Sequence, residues 1–553
     1  AWGAVARAAG AGDRCVDVVL VNVNFNGVKE IREPLGIAQL AAILRARGWT
    51  VHLVDPTIEG DPLDATAAEL AGLHFRLLGL SVHADHSRNL RETGELVARL
   101  RAAGSRAPVC LGGYGLSLRF REYLEAIPDV TVVVGDGEEA FPEVVDRLFA
   151  GRPLDGIPGA ATLGPGGIRY ERARRLRSLD GFPFPARDLL ARRVKKHGQR
   201  AMAYVRAGSG CGHKCSYCSM EAYLGLQAGK KYVKRSVEGV VDEIESIHRD
   251  LGLINFTLLD ENFVMPGREA IDRLRRFKDV LLGRGLAVNL HVQTRPDSIT
   301  REAVAILKEA GMKSIFIGIE AVHPEDLRIY NRAGSERVDE ALAILAEQGY
   351  GVDIYSPMRC HVGYIGFHPF STVQALKASV RFFQRSRIPP KRLLQRLRIQ
   401  DHTKIREMTA EAGLLRMDHH SSYSDGREQV FDYANPEVGL IYDIVQRLMG
   451  EFYGLRERLR RIEKCLAVTP VEGVLDGLEG QSMRLDQLLL EIVYGLLEKA
   501  EGDPARFQRE SEKAYREARA VLENFTSENR LEEGIARAEE RLKSVGAYVE
   551  ADF

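Results

Sequence analysis

Net charge is missing from this 553-residue chain, because 77 Lys and Arg are balanced by 77 Asp and Glu. Proteins that track phosphate backbones or anionic membranes normally carry a basic excess, so no nucleic acid is expected as a partner. Long apolar runs are missing too. None approaches the roughly 18–20 residues that cross a bilayer. The opening Ala1-Trp2-Gly3-Ala4 lacks the basic and apolar blocks of a secretory signal, and no membrane partner is expected. Cysteine is scarce, seven in all, and unevenly placed. Cys211, Cys215 and Cys218 crowd together while Cys15, Cys110, Cys360 and Cys465 are scattered. A secreted disulfide framework shows neither feature, so a reducing cytoplasm is the expected compartment. What is present is ordinary soluble composition, 45% hydrophobic and 28% charged.

Pattern divides the chain into four stretches. Residues 1–150 alternate short β-branched runs (Val16–Val21, Val51–Val54, Leu77–Val82, Pro108–Leu111, Val130–Val134) with helical stretches such as Pro34–Arg47. This predicts a doubly wound, Rossmann-like parallel sheet whose ligand lies beyond the carboxyl ends of the strands. Several of those ends run into small residues: Ser81, Gly112-Gly113 and Gly135-Asp136-Gly137. Residues 151–199 are rich in Pro, Gly and Arg, carry no period, and read as a linker. Residues 200–410 hold a second βα series, with strands expected at Met202–Arg206, Asn255–Leu259, Ala287–Gln293, Ser314–Ile319, Val352–Val362 and Leu393–Ile399. Six units predict a partial (β/α)6 barrel. Residues 411–553 show helical spacing without strand signals and read as a helical C-terminal domain. The fold class is therefore α/β with a helical tail.

The segment from Gly208 to Cys218 carries the sharpest chemistry. C-x₃-C-x₂-C brings three thiolates to one site from a single loop. A structural zinc site would want a fourth ligand nearby, and His213, set between two of the cysteines, is badly placed to be one. Three ligands on a [4Fe–4S] cluster leave one iron open to bind substrate.

With Tyr217 just before the last cysteine, and with the loop following the first strand of a βα series, this segment resembles the cluster loop of radical S-adenosylmethionine (radical SAM) enzymes. The resemblance implies that Cys211, Cys215 and Cys218 hold a [4Fe–4S] cluster whose open iron chelates SAM. An electron from an external donor would then yield a 5′-deoxyadenosyl radical. It further implies that Asp260 and Glu261 meet the SAM amino group and that Gln293 and Arg295 contribute from the third strand. Glu320 would meet the ribose or carboxylate, and Gly363 and Gly366 would pass the adenine. Each of these, taken alone, reads equally as a solvated carboxylate or a turn glycine. The sequence departs from the family pattern after the fifth strand, where Ser371 stands in place of a glutamate.

The run Glu33 to Leu44, followed by Leu80-Ser81-Val82, Leu111-Gly112-Gly113-Tyr114 and Gly135-Asp136-Gly137-Glu138, resembles the cobalamin-binding domains that precede such barrels. The resemblance assigns Ser81, Gly112, Gly113, Gly135, Gly137 and Glu138 to cobalamin. The loop Asn22–Arg32 contains no histidine, so cobalt would lack a histidine lower ligand. Asn24, Asn26 or Arg32 would lie beneath it, and His83 and His86 read as loop polar groups or cofactor-edge contacts rather than cobalt ligands. Together the two resemblances imply a cobalamin-dependent radical SAM methyltransferase acting on a small-molecule or natural-product precursor. Aromatic amino acids such as tryptophan are among the substrates they bring in. A ring-rearranging, cyclising or oxidising enzyme with the same cofactors, and a non-enzymatic iron–sulfur or cobalamin sensor, are the alternatives. A monomer is expected. Tyr423, Phe431, Tyr433 and Tyr442 are candidates for a substrate-pocket wall, although aromatic residues more often fill cores.

Overall fold

The computed structural model describes residues 15–25, 33–83, 87–332, 337–352, 358–416, 431–468, 478 and 480–544. Seven strands form the first sheet: β1 (Cys15–Asn22), β2 (Val51–Val54), β3 (His74–Ser81), β4 (Val109–Gly112), β5 (Val130–Val133), β6 (Ala160–Gly164) and β7 (Gly167–Tyr170). Their order is β2-β1-β3-β4-β5-β6-β7. The first five are parallel, and β6 and β7 are antiparallel additions at one edge. Strands buried on both faces read as continuous apolar runs. Val18, Val19, Leu20 and Val21 are all at 2% exposure or less, with alternate residues feeding the two cores that flank the sheet.

Two short ladders follow. β8 (Ala173–Arg174) pairs with β11 (Gln227–Ala228), and β10 (Gly208–Gly210) with β12 (Tyr232–Lys234). The second sheet contains β9 (Ala203–Val205), β13 (Asn255–Leu258), β14 (Asn289–Thr294), β15 (Met312–Glu320), β16 (Tyr350–Gly351) and β17 (Met358–Tyr364). Its order is β16-β17-β15-β14-β13-β9, parallel throughout. It is an open barrel wall of the expected size.

Two sequence expectations are corrected. The stretch read as a linker, 151–199, contains β6, β7 and a helix, Asp188–His197. The two strands form a glycine-turned hairpin on a sheet edge, half open to solvent, so they lack the apolar run that marks β1–β5. The second correction concerns Leu393–Ile399, which is not a sixth strand. It makes one parallel bridge, Phe367 to Arg396, and its leucines are buried instead by side-chain packing. The sixth strand is the two-residue β16.

Helices 436–468, 481–502, 504–509, 511–528 and 531–544 follow the barrel. Their apolar face is continuous with the barrel core. Val380 and Phe383 belong to the same buried cluster as Leu489, Val493 and Leu497.

Helix Asp188–His197 is tied to the first sheet by a buried charge. Arg193 and Asp55 are both fully inaccessible and form an ion pair. Arg193 also donates to Thr57 Oγ1 at 2.9 Å, and Asp55 accepts from Asn22 Nδ2 at 3.0 Å. Replacing Asp55 by Ala strands the guanidinium without its counter-charge, a change that costs about 3–5 kcal/mol. The first transition in urea unfolding should move to lower denaturant, its unfolding free energy extrapolated to water falling by that amount. An unchanged midpoint would show that the pair contributes nothing.

Candidate functional site

The carboxyl ends of the two sheets face a common cavity of about 830 Å3. From the first sheet it is lined by Asn22–Phe25, Ser81, His83, Gly112–Tyr114 and Gly135–Glu138, from the second by Tyr204, Arg206 and Leu259, and from the segment after it by Arg398. All the described cobalamin candidates, Asn24, Ser81, Gly112, Gly113, Gly135, Gly137 and Glu138, are therefore brought together. Arg32, Asn26 and His86 lie outside the described residues.

Two of the glycines are required by backbone geometry. Gly113 has φ +110° and a Cβ there would run into the Val82 carbonyl. Gly135 has φ +83° and a Cβ would come within 2.7 Å of Gln227. Positive φ with no room for a side chain selects glycine, and in both cases it lets one loop pass close to another. Behind them, Asp136 receives Arg175 Nη1 on both carboxylate oxygens, at 2.8 and 2.6 Å. Arg175 Nη2 continues to the carbonyl and hydroxyl of Ser209, at 3.0 and 3.1 Å. Burial, with the nearby Glu138 charge, pushes the Asp136 carboxyl up to about 6. Glu138 accepts from Arg206 Nη2 at 2.6 Å. The loop after β5 is thus clamped to the strand that enters the cysteine loop.

That loop is held on every side. Gly210 (φ +88°) abuts the Lys231 carbonyl so closely that a Cβ cannot fit. Ser216 N donates to the Tyr330 carbonyl at 3.1 Å, and Ser216 Oγ to the Ile329 carbonyl at 2.6 Å. Asn331 Nδ2 donates to the Lys214 carbonyl at 2.8 Å, and Ile405 N to the Ser216 carbonyl at 2.9 Å. Cys211, Cys215 and Cys218 are all partly exposed free thiols. Burial pushes Cys218 up to about 11, with the other two sulfurs adding to the effect. The three thiols stand near enough to act on one another electrostatically, as three ligands of one polynuclear cluster would.

The SAM candidates fall around this loop. Asp260 is buried and accepts from Ala207 N at 3.0 Å, with Glu261 beside it. Gln293 Nε2 donates to the Asp260 carbonyl at 2.5 Å, so Gln293 fixes the loop that presents the two acids. Arg295 Nη1 lies 3.6 Å from Cys215 Sγ. Glu320 sits at φ +68° at the end of β15. Burial raises its carboxyl, which bonds to Tyr217 and faces Arg332. Gly363 is pressed by Phe316, 2.6 Å from where its Cβ would be, and by Glu320.

Gly366 differs in role: a Cβ there would run into the Leu393 carbonyl, so its bareness serves the packing of 393–397. Ser371, which replaces the expected acid, is buried, and its Oγ accepts from His368 N at 2.8 Å. Phe431 and Tyr433 meet edge to face at 5.3 Å, Tyr433 and Tyr442 meet at a tilt at 5.9 Å, and none of the three lines the large cavity. They are core, and Tyr423 lies outside the described residues. Sequence reasoning missed Arg175, Arg206 and the 329–332 clamp. A single arginine far along the chain carries no local pattern that could have revealed them.

The Radical SAM superfamily pattern matches residues 205–372, and the B12 binding domain pattern matches residues 21–145. An uncharacterized methyltransferase of Pyrococcus horikoshii is 27% identical, over 63% of this chain and 72% of its own length. The hopanoid C-3 methylase of Methylococcus capsulatus is 25% identical, over 54% of this chain. This chain spans just over half of that methylase, 56%. In fold, the cobalamin-dependent S-adenosylmethionine radical enzyme OxsB covers 98% of this chain and 82% of its own (TM-score 0.74, 17% identity). TsrM from Kitasatospora setae, a radical SAM methyltransferase solved with cobalamin and a [4Fe–4S] cluster, covers 76% of this chain and 83% of its own (TM-score 0.59, 20% identity).

The Asp260 acid yields a pH prediction. Desolvation outweighs the Ala207 hydrogen bond and pushes it up to about 7 from 3.8. A raised carboxyl stabilises the cofactor-free fold below pH about 4, and that contribution is lost as pH rises through about 7. Asp260→Asn keeps it, so the variant's stability advantage should grow between pH about 4 and 7, level off above, and approach about 4 kcal/mol. Parallel stability curves for the two proteins would contradict this. With two domain patterns in the expected order, a cysteine loop suited to a cluster and one cavity shared by both sheets, the chain joins a B12 binding domain to a radical SAM domain.

Proposed function

We propose that the chain transfers a methyl group from SAM, by way of cobalamin, to a carbon of a small-molecule or natural-product precursor. The observation that carries this reading is the single cavity onto which the cobalamin candidates and the barrel mouth both open. When bound, the cluster supplies an electron to SAM and the cobalamin carries the methyl group, the protein's part being to position them. Gly112 keeps the cavity wall at the end of β4 bare, while Gly113 and Gly135 let the segments that frame the cavity pass close to one another. The Asp136–Arg175 and Glu138–Arg206 pairs hold the two mouths in register. Asp260 and Glu261 are placed to receive an ammonium, whose charge would offset the cost of burying them. Leu259, 39% exposed although large and apolar, stands at the cavity wall where it would be covered by a bound ligand and help exclude water.

An aromatic amino acid such as tryptophan is the first substrate to test, since Tyr114, Tyr204 and Tyr223 line the cavity. Among the described helices none is long and apolar enough to cross a membrane. The reading takes the protein as a cytoplasmic monomer supplied by an external electron donor. It places the cobalamin unit at 1–150, the barrel at 200–410 and the helical unit at 411–553, with the Ala160–Tyr170 hairpin assigned to the first sheet. A second outcome, radical rearrangement, cyclisation or oxidation without methyl transfer, draws support from one observation. OxsB, named only as a radical enzyme, matches the chain through its C-terminal helices, whereas TsrM covers less of it.

Anaerobic reconstitution with iron, sulfide and hydroxocobalamin should give about four irons and one cobalt per chain. Cys211→Ala, Cys215→Ala or Cys218→Ala should lose the iron and keep the cobalt. The reduced protein, given SAM alone, should release about one equivalent of S-adenosylhomocysteine per cobalt. 5′-Deoxyadenosine without S-adenosylhomocysteine would favour the second outcome, and a protein that takes up no cobalt would exclude both.

A further inference from the structure

Two guanidinium groups converge on one sulfur. Arg295 Nη1 stands 3.6 Å from Cys215 Sγ, and Arg332 Nη1 stands 3.8 Å from the same atom. They arrive from separate elements, Arg295 from the end of β14 and Arg332 from just beyond helix Pro324–Ile329. Both are buried, at 6% and 3% exposure. Each is also fixed. Asp297 accepts from Arg295 Nε at 3.1 Å and from Nη2 at 3.3 Å, which orients the guanidinium. Arg332 Nη2 donates to the Gly318 carbonyl. Its Nε is buried without a hydrogen-bond partner, and its charged and polar neighbours are Glu320 and Tyr217. The other two sulfurs are served differently, since Cys211 and Cys218 are met by the backbone N–H groups of His213 and Met220.

We propose that Arg295 and Arg332 set the reduction potential of the cluster through Cys215, as tuning residues distinct from its ligands. The inference rests on the cluster reading of the three cysteines. Reduction adds one electron, and so one negative charge, to the cluster. A donated hydrogen bond withdraws electron density from a ligating thiolate, and a fixed cation in a poorly solvated site stabilises the added charge; both raise the potential. Glu320, buried beside Arg332, acts in the opposite sense and partly offsets it. The Cys215 corner is therefore poised by a balance of two cations against Glu320 and Asp297, while the Cys211 and Cys218 corners are met by backbone N–H groups, with Glu261 facing both and Arg295 reaching Cys211 only through its charge. This asymmetry concerns how readily an external donor fills the cluster, which is separate from which bond is made afterwards.

The test is an EPR-monitored redox titration of the full-length reconstituted protein without SAM, at matched iron content. Arg332→Met and Arg295→Met should each shift the midpoint to more negative potential. Glu320→Gln should shift it to more positive potential, and Arg332→Lys, which keeps the charge but loses the fork, should fall between Arg332→Met and wild type. Opposite signs for the cation and carboxylate variants are what a merely structural role would not produce. Midpoints for Arg332→Met and Arg295→Met equal to wild type overturn the proposal. Should Arg332→Met fail to retain iron, Arg295→Met and Arg332→Lys read the same quantity, and wild-type midpoints in both would overturn it equally. A wild-type protein that takes up no four-iron cluster would instead remove the reading on which the proposal stands.

Discussion

A charge buried between the two sheets governs the arrangement of everything near it. Arg175 is 4% exposed, and an unpaired guanidinium in that position would be costly enough to open the structure. It is therefore satisfied on all its nitrogens: Nη1 by Asp136, Nη2 by Ser209 and Nε by the Lys230 carbonyl. These partners lie on the loop after β5, on β10 and on the approach to β12. One side chain thus fixes the first sheet's ligand loop against the strand that leads into Cys211. Tyr223, 3.3 Å from Asp136, and Gln227, whose Oε1 accepts from Asp136 N, close the same joint. The shared cavity exists because this joint cannot slide.

The parts of the molecule that obey local rules were legible in the sequence. β1 to β5 announce themselves as β-branched runs, because a strand covered on both faces has no polar alternation to hide it. The cysteine loop is legible because its ligands are contiguous. What is illegible is long-range. Arg175 lies 39 residues from Asp136, and Arg332 lies 117 residues from Cys215; no period or spacing connects them. Leu393–Ile399 misleads for a different reason. Its buried leucines are covered by the following helices, with Gln446 Nε2 donating to the Leu394 carbonyl at 2.8 Å, so an apolar run of strand length is satisfied without a ladder. The hairpin Ala160–Tyr170 is the reverse case, a true ladder whose exposed side chains leave no apolar signature.

Glycine shows the same division. Gly113 and Gly135 were singled out as places where a cofactor passes close to the backbone, and the contacts that exclude a side chain there come from Val82 and Gln227. The residues are required at those positions, but the protein itself supplies the crowding. Ser371 is similar. Read as a missing acid, it is occupied in the turn that begins at His368, whose ring bonds to Asp326 at 2.9 Å. Thr372 next to it caps helix Val373–Ser386. The local turn, rather than a ligand, accounts for the hydroxyl.

The barrel and the C-terminal helices share one uninterrupted apolar interior, and this restricts how such a protein can be rebuilt. Exchanging the tail for that of another chain would press a foreign surface onto Val380 and Phe383, so a chimera joined near residue 430 would inherit a mismatch through the middle of its core. New specificity cannot be acquired there by shuffling a module. It has to come by paired substitutions, each small enough for the facing helix to accommodate.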